Sequence, residues 1–224
     1  NWTLGIQLNK IPNVKANYVP RASLNIALND NSGVKLNYGA AFRAAYSVET
    51  NFNLIVCCNE QGENRGGLRG NPALEPEEIV TQEAQYYFQN QDALFNVTLF
   101  KSRLSNLIER ERAADHVLDF VNRGELNVEG LELEGKYQLG ALTRLSFSYT
   151  YQENRNGDID NFTLMPNHML KLGLSHKFGQ RLKLGVFSSS FSKFHDNEIR
   201  NANTNHYNPD ADGYHMITAE LRYL

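Results

Sequence analysis

The chain has 224 residues, a formal net charge of -3 and 21% charged residues, with a mean hydropathy of -0.50. No apolar run approaches the roughly 18 residues of a membrane-spanning helix, which excludes a helical membrane protein. The mild acidity excludes the basic stripe expected of a nucleic-acid binder. The two cysteines, Cys57 and Cys58, are adjacent, which is neither a disulfide framework nor a zinc-ligand spacing. The sequence opens at Asn1 with no Met, basic n-region or apolar h-region, as after removal of a signal peptide or, the expected reading, in an internal piece of a longer polypeptide.

Period-two alternation dominates from the start. WTLGIQL at 2–8 and ASLNIALN at 22–29 read as strands, and so does the long run VKLNYGAAFRAAYSV at 34–48. In that run Val34, Leu36, Tyr38, Ala40, Phe42, Ala44, Tyr46 and Val48 share one face, while Lys35, Asn37, Arg43 and Ser47 lie on the other. Segments 78–90, 93–108 and 124–138 alternate more weakly. In 124–138 the apolar phase switches between Val128 and Leu131, which implies either a bulge or a part of the strand that stands above a membrane. The split sharpens again at 142–152, where Leu145, Phe147, Tyr149 and Tyr151 oppose Arg144, Ser146, Ser148 and Thr150. It continues at 170–178, with Leu170, Leu172 and Leu174 against Lys171, Gly173 and Ser175, weakens at 181–193 and returns at 217–223.

About ten strands result, several longer than the roughly 5–6 residues usual in globular sheets. Their polar faces carry Lys, Arg, Asn, Ser and Gly, which suits a watery or plugged lumen and not a buried core. Short connections at 30–33, 91–92, 139–141 and 179–180 alternate with long ones at 9–20, 48–77, 109–123, 155–166 and 194–212. Transmembrane β-barrels show this one-sided asymmetry, with short periplasmic turns and long external loops. The expected fold is therefore all-β, an antiparallel transmembrane β-barrel. Leu36, Phe42, Leu145, Phe147, Leu172 and Leu174 are expected to face lipid, with Lys35, Arg43, Arg144, Lys171 and Lys183 on the lumen side. Ile217, Ala219, Leu221 and Tyr223 set an outward phase that one further aromatic residue after Leu224 would complete.

An ordered set of motifs adds to this reading. Phe42 to Ser47 (FRAAYS) leads into a long loop, then Gly70 to Glu77 (GNPALEPE), then a strand carrying Thr81 and Glu83. LFNVTLFKSRLSNLI follows at 94–108, and VNRGELNVEGLELEGKY at 121–137 carries Asn122, Gly124, Gly130, Glu132 and Glu134. The chain resembles the C-terminal barrel region of TonB-dependent outer-membrane receptors over nearly its whole length. One departure is VETNFNLIVCC after FRAAYS, where the family carries an Arg-Ala-Pro segment. The resemblance implies about ten C-terminal strands of a 22-strand barrel in the outer membrane of a Gram-negative bacterium, with the plug domain and N-terminal strands outside these residues. It further implies uptake of a scarce solute (siderophore, cobalamin, oligosaccharide or peptide), with no catalytic residues, metal or cofactor. The partners implied are TonB, through the plug, together with outer-membrane lipid and lipopolysaccharide.

The GNPALEPE element reads as a structural bracket: Asn71 before Pro72 disfavours helix, Pro72 and Pro76 fix φ, and Gly70 permits a left-handed bend. Ligand contacts are expected on the long external loops, with Arg65, Arg69, Phe194, His195 and Tyr207 as candidates. Cys57 and Cys58 lie in one such loop, where the oxidising setting allows a vicinal disulfide or a copper-binding pair; two unremarkable loop cysteines, joined to each other or to nothing, is the expected reading. Asp210 and Asp212 in NPDADG have a calcium-loop spacing but no downstream bidentate Glu, so an Asx turn is expected. Asp158, Asp160, His195 and Asp196 are the residues a ten-stranded outer-membrane protease would use to activate water. That barrel, and a structural or adhesin barrel without transport, are the alternatives.

Overall fold

The alternating segments become one long antiparallel sheet. The computed structural model describes residues 1–10, 16–63, 65–156, 159–160, 165–193 and 212–223. In chain order the elements are β1 (Trp2–Asn9), β2 (Asn17–Asn29), β3 (Ser32–Arg43), α1 (Ser47–Asn51), β4 (Asn53–Val56), β5 (Gly66–Arg69), β6 (Glu77–Gln89) and β7 (Ala93–Ser105). They continue with β8 (Ile108–Arg112), β9 (Leu118–Asn122), β10 (Glu125–Leu139), β11 (Thr143–Asn156), β12 (Ile159–Asp160), β13 (His168–Phe178), β14 (Leu182–Phe191) and β15 (Tyr214–Tyr223). The large sheet runs β1-β2-β3-β6-β7-β10-β11-β13-β14-β15, with the two-residue β12 on β11. A separate sheet, β4-β5-β9-β8, is built entirely from the second and third long connections.

Register carries the alternation across every strand. Trp2 pairs with Leu24, Leu24 with Leu36, Leu36 with Ala84 and Ala84 with Leu99. The line continues from Leu99 to Leu131 and Leu131 to Tyr151. Farther along, Leu145 meets Leu174, Leu174 meets Val186 and Val186 meets Ala219. Directly paired residues share a face, so one surface of the whole sheet is apolar. Leu36, Phe42, Leu145, Phe147, Leu172 and Leu174 all lie on it, and Lys35, Arg43, Arg144, Lys171 and Lys183 all lie on the other. The apolar surface is bare: Trp2 is 72% exposed and Leu221 66%. Val19, Val117, Phe120 and Leu126 are the buried apolar residues among those described. An apolar surface this continuous needs an apolar partner, and a bilayer is the one that fits its extent.

The phase switch in β10 is not a bulge. Its pairing with β7 and with β11 runs without a shift from Glu125 to Leu139. What changes is the surroundings. On the outward face Leu131, Leu133 and Tyr137 give way to Glu129, Asn127 and Glu125, which meet Lys101, Arg103 and Arg155 across the ladders. Lys101 pairs with Glu129 at 3.4 Å and Arg103 with Glu125 at 2.6 Å. On the inward face at the same level Leu126 is buried. The upper end of the strand has left the membrane, so water takes the outer side and an apolar cluster takes the inner one.

Two further differences from expectation concern the ends of the same stretch. The strand expected through Val48 stops at Arg43, because its guanidinium turns to Glu77 (2.6 Å) and Glu49 (3.0 Å). Residues 47–51 then form a helical turn whose Glu49 carboxylate accepts from the Tyr46 backbone N–H at 2.7 Å. The short turns behave as expected. Asn90 accepts from the N–H groups of Asp92 (3.0 Å) and Ala93 (2.7 Å), while Gly140 and Gly179 supply the left-handed φ values of 61° and 64° that two other turns require.

The level assignment is testable in the intact protein. Leu133→Arg puts a cation on the lipid face and is expected to cost about 2–4 kcal/mol in bilayer unfolding titrations. Ser105→Arg occupies the same face between Glu78 and Glu125 and is expected to cost no more than about 1 kcal/mol, since it stands where charge is tolerated. Equal costs at the two positions contradict the boundary drawn here.

Candidate functional site at the external mouth

The second and third long connections fold against each other. β4 and β5 form one hairpin, β8 and β9 another, and β5 joins β9 in parallel through Leu68↔Leu118 and Arg69↔Asp119. Isolated two-stranded hairpins are marginal in water, so each depends on the other and on the strands below. Val117 is fully buried, and Phe120 on β9 and Leu126 on β10 are buried as well. The β8–β9 turn is closed by Ala113 N–H to the Val117 carbonyl at 2.8 Å, with His116 in a left-handed conformation at φ 63°.

The GNPALEPE element attaches this module to the wall. Asn71 caps its own turn by accepting from Ala73 N–H (2.9 Å) and donates to the Phe120 carbonyl (3.1 Å). Asn122 holds both backbone groups of Glu75: its amide oxygen accepts from the N–H at 2.7 Å and its NH2 donates to the carbonyl at 2.8 Å. The same NH2 reaches the Asn106 carbonyl at 2.8 Å. Glu77 takes Ile108 N–H on one oxygen (2.8 Å) and Arg43 on the other. The motif residues Asn71, Glu77 and Asn122 thus join β3, β6, β8 and β9 at one point. Every one of these contacts is internal, as a structural bracket requires.

Of the five candidate ligand contacts, Phe194, His195 and Tyr207 lie outside the described residues, as do Asp158, Asp196, Asp210 and Leu224. Arg65 is exposed beside β5, its backbone N–H donating to the Val56 carbonyl at 2.9 Å. Arg69 sits inside the module, with two donors on Asp119 (2.8 and 2.9 Å) and one on Asp115 (3.2 Å). Its side chain keeps 39% exposure. Hydrogen bonding from Arg69 holds the Asp119 carboxyl below the usual aspartate range, while burial pushes Glu109 up against the opposing pull of Arg123. Cys57 and Cys58 are joined to each other at the tip of the β4–β5 hairpin. Leu54, Ile55 and Val56 beside them are all at least 41% exposed.

The partners of Arg69 were not legible as such. Their signal was the alternation of IERER at 108–112, six residues before LDFVN at 118–122, which marks a hairpin inside a segment expected to be loop. Among the described residues, no cluster of His, Cys, Asp or Glu could hold a metal ion. What the arrangement offers is an external module whose hairpins carry exposed apolar side chains at Leu54, Ile55 and Val56 and an exposed Arg65, set among more acidic than basic residues.

Magnitudes separate the bracket from the ion pair. Asn122→Ala strands three backbone groups and is expected to destabilise by about 1–3 kcal/mol. Arg69→Ala removes ion pairs that are open to solvent and therefore contribute little. Hydrogen-exchange protection of 66–69 and 118–122 in the intact protein should fall more for the first variant than for the second. The reverse order contradicts the assignment.

Comparison with known proteins agrees with the geometry. The family model described as "TonB dependent receptor-like, beta-barrel" matches residues 3–224. The Ferrienterobactin receptor of Escherichia coli (strain K12) is 24% identical over 205 residues, covering 85% of this chain and 27% of the relative. Among solved structures, the ferric enterobactin receptor PfeA of Pseudomonas aeruginosa superposes with a TM-score of 0.78 at 18% identity, over 100% of this chain and 35% of that one. The siderophore receptor PirA of Acinetobacter baumannii gives 0.77 at 17%, over 99% and 37%. The chain therefore spans about a quarter to a third of the length of these relatives, which places its sheet as one arc of a larger barrel and displaces the ten-stranded protease reading. This chain belongs to the TonB-dependent receptor β-barrel family of the Gram-negative outer membrane.

Proposed function

We propose that the whole receptor imports a ferric siderophore across the outer membrane, with energy from TonB delivered through a plug region outside residues 1–224. The observation that carries this reading is the family match across residues 3–224. The names of the similar proteins, ferrienterobactin receptor and siderophore receptor, supply the solute class. In the sheet order, β1 and β15 each have a partner on one side only. Open edges are not tolerated in lipid, so both edges pair with further strands of a barrel of about 22.

In this reading each part has a task. The apolar face holds the wall in lipid, the polar face lines the lumen, and the module at the mouth captures the chelate. A ferric chelate with more than three ionised oxygen donors is anionic, which suits an exposed cation such as Arg65 at the mouth. Arg65 and the exposed part of Arg69 are proposed contacts, together with Phe194, His195 and Tyr207 on the last long loop. Arg65 is the better of the two arginines, because Arg69 is already committed to two aspartates.

The test uses the full-length receptor in a bacterial strain stripped of its own ferric-siderophore receptors, with ferric enterobactin as the probe. Uptake of labelled iron is expected with TonB present and lost when TonB is deleted. Absence of uptake in the TonB-positive strain contradicts the siderophore assignment. Arg65→Ala is expected to raise the half-saturating concentration roughly tenfold, the loss of one charge-assisted contact, with the amount of folded receptor unchanged.

A further inference from the structure

The Cys57–Cys58 disulfide serves neither the wall nor the bracket. A disulfide stabilises chiefly by restricting the unfolded chain, and the restriction shrinks with the loop it closes. Here the sequence separation is 1, so the bond closes the smallest loop available and ties no distant parts of the fold together. It also lies in the open. Cys57 is exposed and Cys58 half-buried, at the tip of a hairpin whose β4 residues Asn53–Val56 are all exposed. Its neighbours give this position a consequence. On one side the β4–β5 ladder reaches Val56↔Gly66, and Arg65 N–H adds a bond to the Val56 carbonyl at 2.9 Å. On the other, Asn59 organises the tip: its N–H donates to the Glu63 carbonyl at 2.8 Å, and its side-chain oxygen accepts from the N–H groups of Gln61 (3.1 Å) and Glu63 (2.8 Å). Only Cys57 and Cys58 separate Val56 from Asn59. The bond between their sulfurs therefore fixes the backbone that joins the tip to the ladder end carrying Arg65.

We propose that Cys57–Cys58 is a thiol-exchange site, which takes a low-molecular-weight thiol and whose state sets the order of the hairpin tip. The thiolate of one such molecule attacks the exposed Sγ of Cys57 and forms a mixed disulfide. The Sγ–Sγ bond between the cysteines breaks, and its electron pair stays on Cys58 Sγ, which takes up a proton. A second thiolate attacks the small-molecule sulfur of the mixed disulfide, releasing a small-molecule disulfide and leaving Cys57 as a thiolate that is protonated in turn. The protein disulfide is thereby reduced to two thiols, and two small thiols are oxidised to one disulfide. In the oxidising medium outside the cell the closed form is the resting one, so the open form reports thiol in the surroundings. Exposed disulfides are the ones that exchange in this way, whereas structural ones resist reduction by glutathione. The exchange itself is independent of the solute; its effect on capture through Arg65 rests on the function proposed above.

The test uses the full-length receptor in outer-membrane vesicles, equilibrated in glutathione buffers that run from mostly oxidised to mostly reduced, then alkylated and mapped by mass spectrometry. The pair is expected to pass from disulfide to mixed disulfide and dithiol within that range, and to return when oxidised glutathione is restored. A disulfide that persists at every ratio overturns the proposal. Hydrogen exchange at 59–63 and 65–67 is expected to be several-fold faster in the reduced form, the scale of one weakened hydrogen bond, with 118–122 on β9 unchanged. Conversion that leaves 59–63 unchanged, or that loosens 118–122 equally, also overturns it. The Cys57→Ser/Cys58→Ser variant is expected to exchange fast at 59–63 whatever the buffer. Thiol-dependent exchange in that variant places the effect elsewhere and overturns the proposal, and the unmodified receptor decides the matter even where the variant fails to fold. None of these readouts involves a siderophore. Binding of ferric enterobactin is read separately: it is expected to weaken several-fold on reduction, and unchanged binding beside confirmed exchange overturns the capture role of Arg65 alone.

Discussion

In hydrocarbon a backbone N–H or C=O has no water to turn to, so a chain that crosses as strands must pair both edges of every strand. That constraint organises the whole sheet. Unbroken pairing locks the register, and a locked register forces strict alternation, because a slip of one residue turns every side chain to the wrong medium. The single irregularity in the main ladders, between Ala27 and Asn29, lies beside a short turn where water is near. The same constraint explains why so few side chains are buried. The wall is one sheet thick, and its apolar residues are stabilised by lipid outside and not by a protein core.

Where the strands rise out of the membrane the constraint relaxes, and the side-chain pattern inverts without any change in backbone register. Glu125, Glu129 and Glu153 face outward there with Lys101, Arg103 and Arg155. Such exposed pairs add little stability individually. Their role is to mark the level at which charge becomes tolerable. Freed from lipid on one side, β10 turns Leu126 to its inner face, where that side chain is buried. One strand therefore serves two media, with its apolar residues outward below and inward above.

This division also sets what the sequence could reveal. Residues locked to one medium over many positions advertise themselves, which is why all ten wall strands, their order and both faces were legible from alternation and loop length. The module at the mouth was not. Its strands are four or five residues long, too short for period two to stand out, and its pairing of β5 with β9 joins segments about 50 residues apart. Arg69 illustrates the consequence: as a loop cation it read as a ligand contact, whereas its aspartate partners emerge only once the two hairpins are folded together. Tyr46 and Val48 misled in the opposite sense. Their apolar alternation prolonged the β3 pattern beyond Arg43, where ion pairs to Glu49 and Glu77 end the strand.

The strength of the contacts decides what the module can do. A capture platform must hold its shape while presenting charge to solvent, and partly exposed ion pairs are poor at the first task because water competes for both partners. Asn71 and Asn122 avoid that competition by bonding to backbone groups that the turn has already placed. Each takes one amide to satisfy two or three main-chain partners, and Pro72 and Pro76 reduce the freedom that must be lost on ordering the element. The frame is thus carried by amides and prolines, and the charged side chains above it are released from holding the fold. The contact proposed for Arg65 is compatible with that separation, because moving or discharging this exposed side chain leaves the bracket beneath untouched.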